Sequence, residues 1–323
     1  MKIHIDLQHQ GVRVDKFVEE QLKDLGFKQA TRSMIKNNIS LGCTVNGNRI
    51  KPSYKLKEKD ILNIDEQFWK EFFANKDLSE EIIAQKGDLD IMYEDEYIIV
   101  LFKPKNLVVH PGVGNRDNTL VNYLKHYLQE KDELDVNMDR VGVVHRLDKG
   151  VSGVMVVAKT KEVQDILKKQ FANREVDKLY LANVEKFKES KLQSIEEITI
   201  KEVIDCIKCS DIDYSAWFDA KGYIGRDSVN RYRMIFKLYE FKGSKFAQSY
   251  ILPISKDQML IKIITGRMHQ IRATLFSLGY HIVGDTLYNQ ATRKISSPNI
   301  MLQSIYLSFT HPITKERVHF TKI

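Results

Sequence analysis

Three short runs of the chain are almost wholly apolar: Ile98 to Phe102, Val154 to Ala158, and Leu260 to Ile264. Each is too short for a buried helix. The first ends at Lys103-Pro104 and the third at Thr265-Gly266, so all three read as buried strands closed by turn signals. Helical patterns lie between them, at Leu120 to Leu128 and Glu162 to Phe171. The strands do not alternate regularly with helices, which favours an α+β domain over a doubly wound parallel sheet.

The beginning of the chain has a different texture. A short strand at Ile3 to Leu7 leads into a helical pattern with Phe17, Val18, Leu22 and Leu25 on one face. Thr31 is a candidate N-cap for a second helix, Arg32 to Ile39. Val45-Asn46-Gly47 is a turn signal between two short strands, and Ile61 to Ile64 is a further strand. Residues 1–65 are thus expected to form a small α+β domain. Residues 66–88, with Phe68, Trp69, Phe72 and Phe73 among charges, read as a linker, and 89–323 as the main domain.

Charge narrows the partner. The chain of 323 residues carries a net +7, and its first 65 residues hold 12 basic against 8 acidic side chains. This balance permits a nucleic-acid partner without requiring one. No stretch approaches the ~18 apolar residues of a membrane helix. Three cysteines cannot build a disulfide scaffold, and a reducing cytoplasm is the expected location.

Several familiar signals fail. Gly112-Val113-Gly114 lacks the third glycine of a dinucleotide loop. Gly150-Val151-Ser152-Gly153 misses a nucleophile elbow by one position. Cys206 and Cys209 make only half a zinc site. Two constellations remain. His145-Arg146-Leu147-Asp148 precedes Ser152-Gly153 and a buried strand, which puts a carboxylate at a strand edge. An Asp merely paired with Arg146 in a loop would look the same. Thr265-Gly266-Arg267-Met268-His269-Gln270-Ile271-Arg272 runs from a strand into a helix with Leu275 and Leu278 on its apolar side. Two Arg, a His and a Gln there suit phosphates or carboxylates, and equally a solvated helix start.

Taken together with their neighbours, these segments closely resemble the RluA-type pseudouridine synthases. The likeness rests on His145 to Asp148 with Ser152-Gly153, on the upstream Lys103 to Gly112, and on Lys178-Leu179-Tyr180-Leu181-Ala182. It extends through Thr265 to Arg272, Gly279 to Asp285, and the closing Met301-Leu302-Gln303 with Leu307, His311 and Pro312. The first 65 residues resemble the α-L RNA-binding motif shared with a ribosomal small-subunit protein. Val12 to Phe17, Thr31-Arg32-Ser33 with Ile35 and Lys36, Val45-Asn46-Gly47 and Lys57 to Ile64 carry that second likeness. Val151 stands where the family usually has Thr, Lys149-Gly150 is also unusual, and the stretch 201–245 is longer than expected.

The resemblance implies a mixed, mainly antiparallel sheet in the catalytic domain and isomerisation of uridine in structured RNA, that of the large ribosomal subunit. It implies Asp148 as nucleophile, Arg272 as its two-bond ion-pair partner, and Tyr180 against the uracil, with no cofactor and no metal. Arg146, His145, Arg267, His269, Gln270 and Lys103 are the expected RNA contacts of the catalytic domain. His145 and His269 also fit a scaffold role. Arg32 and Lys36, four apart on one helix face, are the expected contacts of the first domain. A monomer is expected. Alternatives are a synthase acting on transfer RNA and a catalytically silent RNA-binding or ribosome-assembly protein. A glycoside hydrolase ranks last, because only Asp285 could serve as a second carboxylate.

Overall fold

A computed structural model describes residues 1–79, 82–112, 114–190, 192, 199–208, 214–289 and 299–323. The chain divides into two compact units, Met1–Glu81 and Ile82–Ile323. Among the described residues no helix is long and apolar enough to cross a membrane.

The first unit contains β1 (Lys2–His4), α1 (Val14–Asp24), α2 (Arg32–Gly42), β2 (Cys43–Val45), β3 (Asn48–Arg49), β4 (Ile61–Ile64) and α3 (Glu66–Ser79). Its strands form one antiparallel sheet in the order β1-β4-β2-β3. Asn46 and Gly47 both take left-handed φ, 50° and 77°, as the tight turn between β2 and β3 requires. Val14, Phe17, Val18 and Leu22 of α1 meet Ile35 and Ile39 of α2 in the core.

Trp69 and Phe73 of α3 belong to that same core, and Trp69 Nε1 donates to the Gly42 carbonyl at 3.1 Å. Each such side chain stabilises by about 1.5–3 kcal/mol when buried. The aromatic stretch expected as a linker is therefore divided. Its helical part completes the first unit, while Ile82 and Leu89 pack on the core of the second.

The second unit comprises β5 (Asp90–Glu94), β6 (Ile98–Lys103), α4 (Leu120–Glu130), β7 (Ser152–Ala158), α5 (Lys161–Asn173), β8 (Asp177–Lys186) and α6 (Ile200–Lys208). It continues with β9 (Phe218–Arg226), β10 (Met234–Lys237), β11 (Lys245–Pro253), β12 (Gln258–Ile263), α7 (Gln270–Ser277), β13 (Tyr280–Ile282), β14 (Leu302–Thr310) and β15 (Arg317–Thr321). One sheet runs β10-β9-β11-β12-β8-β14-β7-β6-β5, with β13 on β8 and β15 on β14. Among these strands the only parallel pairing is β7 with β14, so the fold is α+β and mainly antiparallel. All seven residues of β7 are buried, which is why that segment reads as one apolar run.

The long stretch 201–245 builds two things. α6 lays Val203, Ile204 and Ile207 against Leu179, Leu260 and Ile305 of the sheet. β9 and β10 then extend the sheet at one edge. Residues 209–213, including Cys209, lie outside the described residues.

Candidate active site

β7 and β14 run side by side for two residue pairs only, Ser152 with Gln303 and Gly153 with Ser304. Gly153 has φ 145°, and a Cβ there would lie 2.4 Å from Ser304 Cβ. Only glycine allows that approach. Beyond it the strands part, and the segment before β7 covers the exposed edge. Val143 bridges to Val157, and His145 Nε2 accepts the Val156 N–H at 3.1 Å. The same segment delivers Asp148 to a turn closed by the Val151 N–H on the Asp148 carbonyl at 3.0 Å. Val151 is buried and serves as cleft wall, so the turn closes through its backbone without the hydroxyl of a threonine.

Lys103 anchors that turn from behind. It is fully buried, and its ammonium donates to the carbonyls of Pro104 at 2.7 Å, Leu107 at 2.8 Å and Lys149 at 3.3 Å. Burial lowers its pKa to about 8 against the pull of Asp148. The side chain expected to meet RNA is thus a staple holding the residue after Asp148.

The facing wall comes from the β12–α7 junction. His269, in the left-handed region at φ 53°, turns the chain into α7. Gln270 is buried, with Oε1 accepting from Thr265 Oγ1 and the Arg267 N–H, and Nε2 donating to the Gln248 carbonyl and Ser249 Oγ. Both ends of its amide are used within the protein, so this residue, expected as an RNA contact, braces the cleft wall that it lines. One turn on, Arg272 reaches the cleft.

Arg272 does not fork onto Asp148 as expected. Its Nε and Nη2 bind Asp285 at 2.7 and 2.8 Å, and Nη1 alone reaches Asp148 Oδ2 at 3.2 Å. Asp285, 1% exposed, also accepts the N–H groups of Leu287 and Tyr288. A planar fork fixed on one carboxylate has a single direction left for its third nitrogen. Sequence reasoning noted Asp285 only as a distant second carboxylate. Its place in Gly284-Asp285, within the matched segment, was the available signal.

His269 Nε2 lies 3.8 Å from Asp148 Oδ2. Burial, then the charge of Arg272, lowers the His269 pKa. Among the described residues Asp148 Oδ1 receives no hydrogen bond, so one oxygen is committed and one is open. Tyr180 of β8 is buried beside it, and burial pushes the phenol upward. It is therefore protonated at neutral pH.

These groups border a cleft of about 200 Å³. Tyr180, Val151, Ile263 and Leu302 provide apolar wall, while Arg146, Arg267 and His269 add polar groups. Arg146 is exposed and has no hydrogen-bond or ion-pair partner among the described residues. His145 is absent from this lining. Its ring stacks on Phe171 at 4.6 Å, and burial together with Lys178 lowers its pKa to about 3. It is a neutral strut of β7. The structure thus gathers Asp148, Tyr180, Arg272, Arg146, Arg267, His269 and Gln270 around the cleft, and it places Lys103 and His145 behind it.

Arg32 and Lys36 belong to the first unit. There Arg13 and Arg32 both bind the buried Asp15. Burial would raise that carboxyl, but the two guanidiniums outweigh it and hold it at about 2. Arg32 remains half-exposed and Lys36 exposed. Among the described residues no group of three His, Cys, Asp or Glu side chains is arranged to hold a metal.

Comparison with known proteins identifies the family. The family profile described as RNA pseudouridylate synthase matches residues 97–277. A ribosomal large subunit pseudouridine synthase D of Pseudomonas aeruginosa is 32% identical over 90% of this chain and 83% of its own. The protein of the same name from Zymomonas mobilis is 30% identical over 90% and 84%. Human RNA pseudouridylate synthase domain containing 1 shares the fold, with a TM-score of 0.52 at 22% identity over 74% of this chain and 86% of that one. The profile spans the strand before Lys103, the Asp148 turn, Tyr180 and Arg272, and the chain belongs to the RNA pseudouridylate synthase family: it is an RNA pseudouridine synthase.

Proposed function

We propose that this chain converts a uridine of large-subunit ribosomal RNA to pseudouridine, with Asp148 as nucleophile and without a cofactor. The observation that supports this most is the carboxylate with one oxygen held by Arg272 and one open, at the edge of an apolar cleft. Such a group can attack and leave again without a metal or redox partner. The bond from ribose C1′ to uracil N1 breaks, the base turns, and C1′ joins C5. The C5 proton leaves and N1 takes one up, so the product is an isomer. Tyr180 supplies a ring face for the detached uracil and a hydroxyl donor. Arg146, exposed at the cleft, contacts the RNA around the target once that base is out of its stack, a step costing a few kcal/mol.

The large-subunit assignment rests on the names of the relatives from Pseudomonas aeruginosa and Zymomonas mobilis. Residues 1–65 act as an α-L RNA-binding domain, with Arg32 and Lys36 on backbone phosphates. Such contacts position the RNA and carry no sequence information. The test is tritium release from unmodified ribosomal and transfer RNA labelled at C5 of uracil. Wild type should release tritium from the ribosomal RNA, and Asp148→Asn should bind it equally and release none. Product from Asp148→Asn would overturn the nucleophile, and release from transfer RNA alone would overturn the substrate.

A further inference from the structure

The β9–β10 hairpin carries a guanidinium that rests on two aromatic rings and that no described carboxylate pairs. Arg233 lies 4.7 Å from the Phe276 ring and 5.0 Å from the Tyr288 ring. Its Nε is buried without a hydrogen-bond partner, and among the described residues it has no ion pair. The Nε cannot reach solvent, but the outer nitrogens of this half-buried guanidinium are engaged by no described group and can take an anion. Around it the hairpin tip is open: Tyr232 is 82% exposed, Arg231 is exposed, and the neighbouring Asp227 carboxylate is turned back onto the Val229 N–H. Exposed aromatic and basic side chains together suit stacked bases and phosphates.

Tyr288 joins this hairpin to the reaction centre. Its hydroxyl donates to the Met234 carbonyl at 3.0 Å and accepts the Met234 N–H at 2.9 Å. The Arg272 guanidinium lies 5.1 Å from the Tyr288 ring, and the His269 ring packs edge-on at 5.9 Å. One buried ring thus touches the hairpin backbone, Arg233, Arg272 and His269. We infer that Arg233 binds a backbone phosphate of the RNA beside the cleft, and that Tyr288 is a positioning residue through which this contact sets Arg272. The inference rests on the chain being an RNA-acting synthase and adds a phosphate site and its coupling.

The test separates binding from chemistry. Filter binding of unmodified large-subunit ribosomal RNA is measured over a salt series for wild type, Arg233→Gln and Arg233→Lys. Losing one phosphate contact should reduce the slope of log K against log salt by about 0.7–0.9. The Gln variant should bind about tenfold more weakly, and the Lys variant should recover most of the slope. Single-turnover rates at saturating RNA then test the coupling. Arg233→Gln and Tyr288→Phe should each slow the reaction about fivefold, and the double variant no further, because coupled sites are not additive. An unchanged slope in a folded Arg233→Gln would overturn the phosphate site. Rate losses that multiply in the double variant would overturn the coupling. A wild type that binds but makes no pseudouridine would sink the proposed function, while the salt slopes would still decide the phosphate contact.

Discussion

Replacing Asp285 by Asn tests the arrangement of the site most directly. The Asp285 carboxylate is almost fully buried and takes four hydrogen bonds, two from Arg272 at 2.7 and 2.8 Å and two from the Leu287 and Tyr288 amides at 3.1 and 3.2 Å. Asn keeps an oxygen for the two amides but loses the charge and one arm of the fork. A charge-assisted hydrogen bond contributes roughly 1.5–3 kcal/mol, and a buried guanidinium deprived of its partner costs about 3–5 kcal/mol. Arg272 can offset part of that cost by turning its fork onto Asp148, so a net loss of about 2 kcal/mol is expected. For a unit of this size that lowers Tm by roughly 4–8 °C. The same turn would cover the open oxygen of Asp148, and the single-turnover rate should fall about 30–100-fold with RNA affinity little changed. Melting curves and tritium release on one preparation measure both. A variant with wild-type Tm and rate would refute the claim that Asp285 aims Arg272.

Arg272→Lys should keep the fold and lower the rate at least tenfold in the same release assay, since a point charge cannot span two carboxylates. Lys103→Met leaves three carbonyls without their donor and should cost about 1–3 kcal/mol near pH 7 in denaturant melts. The pKa of Lys103 is about 8 in the fold and near its ordinary value of about 10.5 when unfolded. The unfolded chain therefore binds more protons between those values, and wild type should gain stability over Lys103→Met as pH rises from about 8 to 10.5. A flat difference across that range would mean that the carbonyls hold the ammonium at its ordinary pKa. His145→Phe keeps the stack on Phe171 and leaves the Val156 N–H unmet. Its Tm should drop by a few degrees, about 1–2 kcal/mol, while RNA affinity measured by filter binding stays within twofold; a selective loss of affinity would return His145 to the RNA surface.

The sequence made the fold class legible because buried strands advertise themselves. Val154 to Ala158 is apolar on both faces, and the structure buries both. The turn at Asn46-Gly47 was equally plain, since its geometry demands those residue types. What stayed hidden was the direction in which polar side chains point. Lys103, His145 and Gln270 are the residue types an RNA site uses, and also the types that satisfy buried backbone groups, so composition cannot separate the two uses. Arg272 was found, but not its principal partner, because which carboxylate a guanidinium grips depends on how the segment after β13 folds back on α7. The aromatic cluster of α3 reads as a linker in sequence because a helix that completes a neighbouring core has the same composition as one that merely connects.

The two-pair junction of β7 with β14 has a mechanical consequence. Ladders make a sheet stiff against twisting, and this is where the ladder is shortest. Asp148 hangs from the β7 side of the seam, whereas Tyr180, Arg272 and Asp285 all belong to the other side. The ion pair between Asp148 and Arg272 is therefore a rivet across the most compliant line of the sheet. A variant that removes that ion pair therefore removes a tie between the two sides of the seam as well as a charge from the cleft.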